Sequence, residues 1–241
     1  MSTPSAAPRT FADVPTTSGD TEARARPASV RSLPDALRLF FSHASPRLLG
    51  GKALLFLLVR PLLGPFGWGD VFLVVGIGLY WPFQEWFLHT KVLHRKPSTL
   101  GPLTLDTYFA RRHREHHQRP WDIETAFLPL RVLVPLIPVN IALFTLATPT
   151  LGLAATGITA MTAASLLYEW THFLTHTGYK PKSALYRKIR RNHRMHHFRN
   201  EQYWHGFTVP FVDELFGTGP DPRDVPQSES CYSLGVAPGR S

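Results

Sequence analysis

Ten of the twelve histidines in this 241-residue chain fall into four short clusters: His89 and His94; His113, His116 and His117; His172 and His176; His193, His196 and His197. The second and fourth clusters read HxxHH. Imidazole ligates Fe, Zn, Cu and Ni, so the residue type points to a metal centre and leaves the metal open. Residues three and four apart share a helix face, which makes His172 and His176 a ligand pair. In HxxHH the first histidine shares a face with both others, while the adjacent two diverge by about 100°. One such motif can therefore serve two neighbouring metals. His89 and His94 are five apart, a poor fit to a regular helix, so their helix is expected to end or loosen between them. Ten imidazoles exceed the roughly four to six donors of one ion, and two metals are the natural count.

Glu85 and Glu169 precede His89 and His172 by four and three residues. They are candidates to accept the second ring N–H of those ligands; polar residues at a helix end are the plain alternative. His205 is a candidate ligand, substrate contact or cavity lining. His43 stands alone and reads as an ordinary histidine. The single cysteine, Cys231, excludes an intrachain disulfide and a cysteine-based zinc site.

The elements that must position these residues are apolar. A bilayer core of about 30 Å needs roughly 20 apolar helical residues. Residues 71–88, 126–147 and 151–174 supply three such runs, the last rich in the small residues that suit close packing in lipid. Residues 53–68, interrupted by Arg60, Pro61 and Pro65, form a weaker fourth arm. Each histidine cluster lies at the end of such a run or just beyond it. The expected architecture is all-α: an integral membrane bundle of about four transmembrane helices with a cytoplasmic helical cap holding a histidine-rich dimetal site. Domain boundaries follow as a disordered basic tail over 1–50 with a short interfacial helix, a membrane domain over 51–218, and a flexible tail over 219–241.

Net charge is +9. Lys and Arg number seven before residue 53, seven in 89–124 and ten from 177 onward, with none in the connections at 64–70 and 149–150. The positive-inside rule then puts both termini and every histidine cluster in the cytoplasm, at the inner membrane if the chain is bacterial, as its 20 Arg against 6 Lys indicate. The charge is accounted for by topology, and nucleic acid is not an expected partner. Residues 1–35 carry no apolar period and read as disordered; with no apolar h-region they are not a secretory signal.

The histidine boxes HTKVLH (89–94), HREHHQRPWD (113–122), EWTHFLTH (169–176) and HRMHHFRN (193–200), with the closing GFTVPFVDELFGT (206–218), resemble the fatty acid hydroxylase and sterol desaturase superfamily of membrane di-iron oxygenases. The HHxxPxD pattern at His117, Pro120 and Asp122 and the ending from Asp213 to Thr218 are most similar to the fatty acid 2-hydroxylase branch. The resemblance implies two irons on the ten clustered histidines, O2 as co-substrate, and Asp213 as a further site residue. Zinc is an expected substitute for iron at imidazole sites. No cytochrome b5-like segment is seen, so electrons are expected from a separate donor of ferredoxin or cytochrome b5 type.

The first expectation is thus a lipid hydroxylase acting on a fatty acyl chain. A sterol, carotenoid or other isoprenoid hydroxylase or desaturase comes second. A metal carrier or a zinc-dependent membrane hydrolase is the remote alternative: the carrier needs ligands along the spans, and the hydrolase lacks an HExxH motif.

Overall fold

The computed structural model describes residues 29–236. The first helices are α1 (Leu33–Phe40) and α2 (Ala44–Val59), followed by a 3-10 turn, Arg60–Leu63. Next come α3 (Trp68–Phe87), which runs into a π-helical turn at Leu88–Leu93, and a small antiparallel hairpin of β1 (Ser98–Leu100) and β2 (Leu103–Leu105). Then follow α4 (Tyr108–Gln118), α5 (Leu130–Ala147), α6 (Leu151–Thr175), α7 (Ala184–Phe198) and the short α8 (Phe211–Leu215). Among the described residues the fold is helical with one two-stranded hairpin.

Among the described residues, three helical segments are long and apolar enough to cross a membrane: Trp68–Leu93, Ile123–Ala147 and Leu151–Thr175. Their apolar side chains largely face outward, as on α3 (Phe72, Leu79) and α5 (Val139, Leu146). Such surface is stable only against lipid or a partner. Burial reaches 39% along α6 against 17% and 22% along the other two, so α6 is the central post. Its small residues allow this closeness. A Cβ on Gly157 would stand 2.3 Å from Phe144 Cδ1 of α5.

The weak fourth arm is displaced from its expected place at 53–68. The helix begins at Ala44, where Ser45 and Pro46 occupy the first turn in which a proline costs nothing. It closes at Arg60 and Pro61. At 16 residues it rises about 24 Å, short of a full span, and it packs along α6. Arg60 is buried rather than lipid-facing. Its guanidinium meets Asp70 (Nη2–Oδ2 2.8 Å), Thr156 Oγ1 (2.8 Å) and the Gly64 carbonyl (2.9 Å), latching the α2–α3 connection to α6.

Residues 33–40 are a short helix within the N-terminal segment where one was expected, capped by Ser32 and packed through Ala36 and Phe40 against Phe127 and Phe173. The disorder expected for residues 1–28 lies outside the described residues. The 219–236 segment, expected to be a flexible tail, is packed: Val225, Cys231 and Leu234 are buried, and Ser228 N–H donates to the Arg199 carbonyl at 2.7 Å. Its composition looks loop-like, but it closes over α7. Residues 237–241 lie outside the description.

Candidate metal centre

Each cluster reaches the site by a local device. The π turn closes with His94 N–H on the His89 carbonyl (3.2 Å), an i to i+5 bond that turns both rings inward from positions five apart. Thr107 caps α4 and Ser183 caps α7 through their hydroxyls, fixing the start of each HxxHH helix. His172 and His176 close the last turn of α6.

The ten histidines converge as two groups of five. His89, His94, His113, His117 and His196 form one; His116, His172, His176, His193 and His197 form the other. Within each group the ligand nitrogens all lie within 4.8 Å of one another. Each HxxHH divides between them: the first and third histidines of α4 go to the first group and the second to the other, and α7 does the reverse. All are buried except His94, which is half-buried.

Hydrogen bonding shows which nitrogens are free for a metal. The Nδ1–H groups of His89, His172, His117 and His196 donate to the carbonyls of His205 (2.7 Å), Ala126 (2.9 Å), Cys231 (2.8 Å) and Tyr203 (2.7 Å). His116 Nδ1 lies 3.1 Å from Thr125 Oγ1, whose own hydrogen is directed at the Asp122 carbonyl (2.7 Å). Fixing the proton on Nδ1 leaves Nε2 as a bare lone pair. His172 and His116 present two such Nε2 atoms 3.0 Å apart. In the first group, Nε2 of His94, His117 and His196 are buried with no partner among the described residues. Converging lone pairs repel unless a cation lies between them, so these donors fit a pair of metal ions. Burial holds the imidazoles of the cap neutral: those of His113, His116, His176, His193, His196 and His197 are pushed well below their usual value, and that of His117 to about 4. A neutral ring is the form that ligates.

Glu85 and Glu169 do not meet the rings of His89 and His172, correcting the expectation from their spacing. Both are buried but turn to backbone N–H groups and hydroxyls. Glu85 Oε1 accepts from the N–H groups of Phe207 (2.6 Å) and Thr208 (3.0 Å), and Glu169 Oε1 from Ser45 Oγ (2.5 Å) and Leu128 N–H (2.8 Å). They tie down the loops that carry the true acceptors. Asp213 works in the same way. It accepts the N–H groups of His205 (2.9 Å) and Gly206 (2.8 Å) and the Thr218 hydroxyl (2.7 Å), which sets the carbonyl that holds His89. Burial raises its carboxyl to about 6. His205 belongs to neither group: its Nε2 donates to the Gln202 carbonyl at 3.0 Å. Phe207, absent from the sequence reading, is fully buried and lays its ring against His89, His172 and His193 at 5.2, 5.1 and 4.9 Å between centroids. It touches both groups. No motif marks it beyond its place in GFTVP.

A bundle of apolar helices bearing a double all-imidazole cluster at one end is the arrangement of a candidate membrane metal centre. Residues 73–218 match the fatty acid hydroxylase family model, and the chain belongs to that family. It is 30% identical over 150 residues to the dihydroceramide fatty acyl 2-hydroxylase FAH2 of Arabidopsis thaliana, covering 61% of each chain. It is 26% identical over 143 residues to the fatty acid 2-hydroxylase of Homo sapiens (57% of this chain, 37% of the relative). Against the ceramide very long chain fatty acid hydroxylase SCS7 of Saccharomyces cerevisiae it is 29% identical over 158 residues (65% and 40%). The chain thus spans less than two thirds of these relatives' length, 61%, 37% and 40% respectively. The solved hydroxylase domain of Scs7p shares the fold, with a TM-score of 0.64 at 24% identity over 88% of this chain and 80% of that one.

Proposed function

We propose that this chain is a membrane di-iron oxygenase that hydroxylates a C–H bond of a lipid, with a fatty acyl chain as substrate. The observation that carries the reading is the pair of five-histidine groups with bare nitrogens facing inward. All ten histidines are assigned as ligands, five to each metal. Two irons held there supply O2 activation, and zinc is a substitute the same donors accept. One oxygen atom enters the C–H bond and the other leaves as water, with electrons from a separate donor of ferredoxin or cytochrome b5 type.

The protein's own part is position and exclusion of water. The carbonyls of Ala126, Tyr203, His205 and Cys231 orient the rings. Phe207 and Tyr168, 4.7 Å apart between centroids, form an apolar wall beside His172. That wall suits a hydrocarbon chain arriving from the bilayer. The relatives' names give attack at position 2 of a fatty acyl chain, and we extend that position to this substrate. The charge distribution supports a cytoplasmic cap and termini, with the bundle and the shorter α2 in the membrane. Histidines in the spans occur only at their cap ends, as His89 and His172, so no path of ligands crosses the bundle and a metal carrier is disfavoured.

The test is lipid analysis after expression with a compatible donor under isotopically labelled O2, with His197→Ala as control. A lipid carrying one labelled oxygen, absent from the control, is expected. A species lacking two hydrogens and free of label would make the chain a desaturase. An unlabelled lipid pool from protein that binds no iron would overturn the reading.

A further inference from the structure

The outer face of α7 carries chemistry that the metal centre does not use. Its inner face holds His193, His196 and His197 with buried Ile189 and Asn192. On the opposite face Arg187, Arg190, Arg191 and Arg194 follow one another at helical spacing. With Lys180 and Met195 they line a cavity of about 430 Å³. No carboxylate lines it, in contrast to the neighbouring surface, where Lys188 pairs with Glu214 and Arg223 with Asp221.

Two of these cations sit half-buried. Arg190 Nε is buried with no hydrogen-bond partner among the described residues. Arg194 donates to the carbonyls of Thr175 (3.1 Å) and Thr177 (3.1 Å) and packs over Trp121. Arg191 feels Asp221 on its outer side, but no carboxylate lines the cavity beside the half-buried Arg190 and Arg194, and cations concentrated in partial burial are unfavourable unless an anion completes the group. Guanidinium donors arranged in a concave site match a phosphate better than any other common anion.

The position says where that phosphate comes from. Arg194 grips the last turn of α6, the most buried of the three apolar helices, and Lys180 follows its end by five residues. The cavity therefore lies where a membrane-crossing helix leaves the apolar layer, at headgroup depth. The cavity's volume of about 430 Å³ suits a small phosphate headgroup. We infer that the cavity between the end of α6 and the outer face of α7 binds the phosphate headgroup of an anionic lipid, separately from the metal centre and from the reacting chain.

The experiment uses the full chain in phosphatidylcholine nanodiscs, titrated with dioctanoyl phosphatidic acid, dioctanoyl phosphatidylcholine and inorganic phosphate, with binding read by native mass spectrometry and thermal midpoint. Saturable binding of phosphatidic acid is expected, with the other two at least about tenfold weaker. Arg187→Gln/Arg190→Gln is expected to lose about tenfold in affinity, a loss on the scale of one charge-assisted contact. Arg190→Lys, which keeps the charge, is expected to lose less. Circular dichroism of each variant separates loss of binding from loss of fold. Equal affinity for inorganic phosphate would assign the site to free phosphate and overturn the lipid source. Undiminished binding by the folded double variant, or no binding by the wild type, would overturn the site. Binding of an acidic redox protein that the double variant loses, with no phosphatidic acid bound, would overturn it in favour of protein docking.

Discussion

Four rings of this site, those of His89, His117, His172 and His196, are held by backbone carbonyls rather than carboxylates. A carbonyl carries no charge, so it sets the tautomer without adding anionic character to the ligand. This makes the metal-free cluster sensitive to acid. An imidazole in the unfolded chain protonates near 6.5, whereas burial depresses His117 to about 4 in the folded protein. The unfolded state then binds more protons below 6.5, so the stability contributed by the neutral ring is complete above that pH and is lost as pH falls through about 4. Each such group adds at most about 1.4 kcal/mol per pH unit. The thermal midpoint of the chelator-stripped protein is therefore expected to drop steeply from about pH 6.5 downward and to be flat above it; a flat profile throughout would mean that the rings are solvated without metal. Asp213 supplies a second residue-scale expectation. Asp213→Ala frees the loop whose carbonyl orients His89 and is expected to weaken metal binding about 10–100-fold, measured by chelator competition. Asp213→Asn, which keeps one acceptor oxygen, is expected to lose less.

At the scale of elements, legibility followed repeat and spacing. The interval of five between His89 and His94 already required a departure from α geometry, and the π turn is that departure. The HxxHH spacing allowed each motif to serve two separate targets, and each motif does divide between the two groups. The backbone acceptors were invisible because a carbonyl leaves no mark in residue type. Glu85 and Glu169 misled for the related reason that spacing along a helix does not show what lies across from it. The start of α2 was missed because an apolar run defines the lipid-facing stretch, while the helix begins in the polar segment ahead of it. Helix contact also sets an expectation at Gly157, where a Cβ meets the Phe144 ring at 2.3 Å. Gly157→Val is expected to force α5 from α6 and cost about 1–3 kcal/mol, read as a lowered thermal midpoint in nanodiscs, while Ala160→Val, on the same helix and half-buried, costs less.

For the whole molecule, the packed 219–236 segment is part of the metal site, since the Cys231 carbonyl orients His117. Truncation after Gln227 is expected to weaken metal binding about 10–100-fold while the three apolar helices still insert; metal content and membrane fractionation measure the two. Retention of full metal affinity would show that His117 is oriented from elsewhere.

The exchange of histidines between α4 and α7 has an effect on occupancy. Because each helix serves both groups, an ion held by one group, on the proposed two-metal reading, would fix the two helices that the other also needs. The ordering cost of those helices is met once, by whichever ion arrives first, and the second ion binds a site already assembled. Half-loaded protein should then be scarce at every metal concentration. A cell holding too little metal would contain a mixture of empty and fully loaded molecules rather than a uniform population of half-active ones.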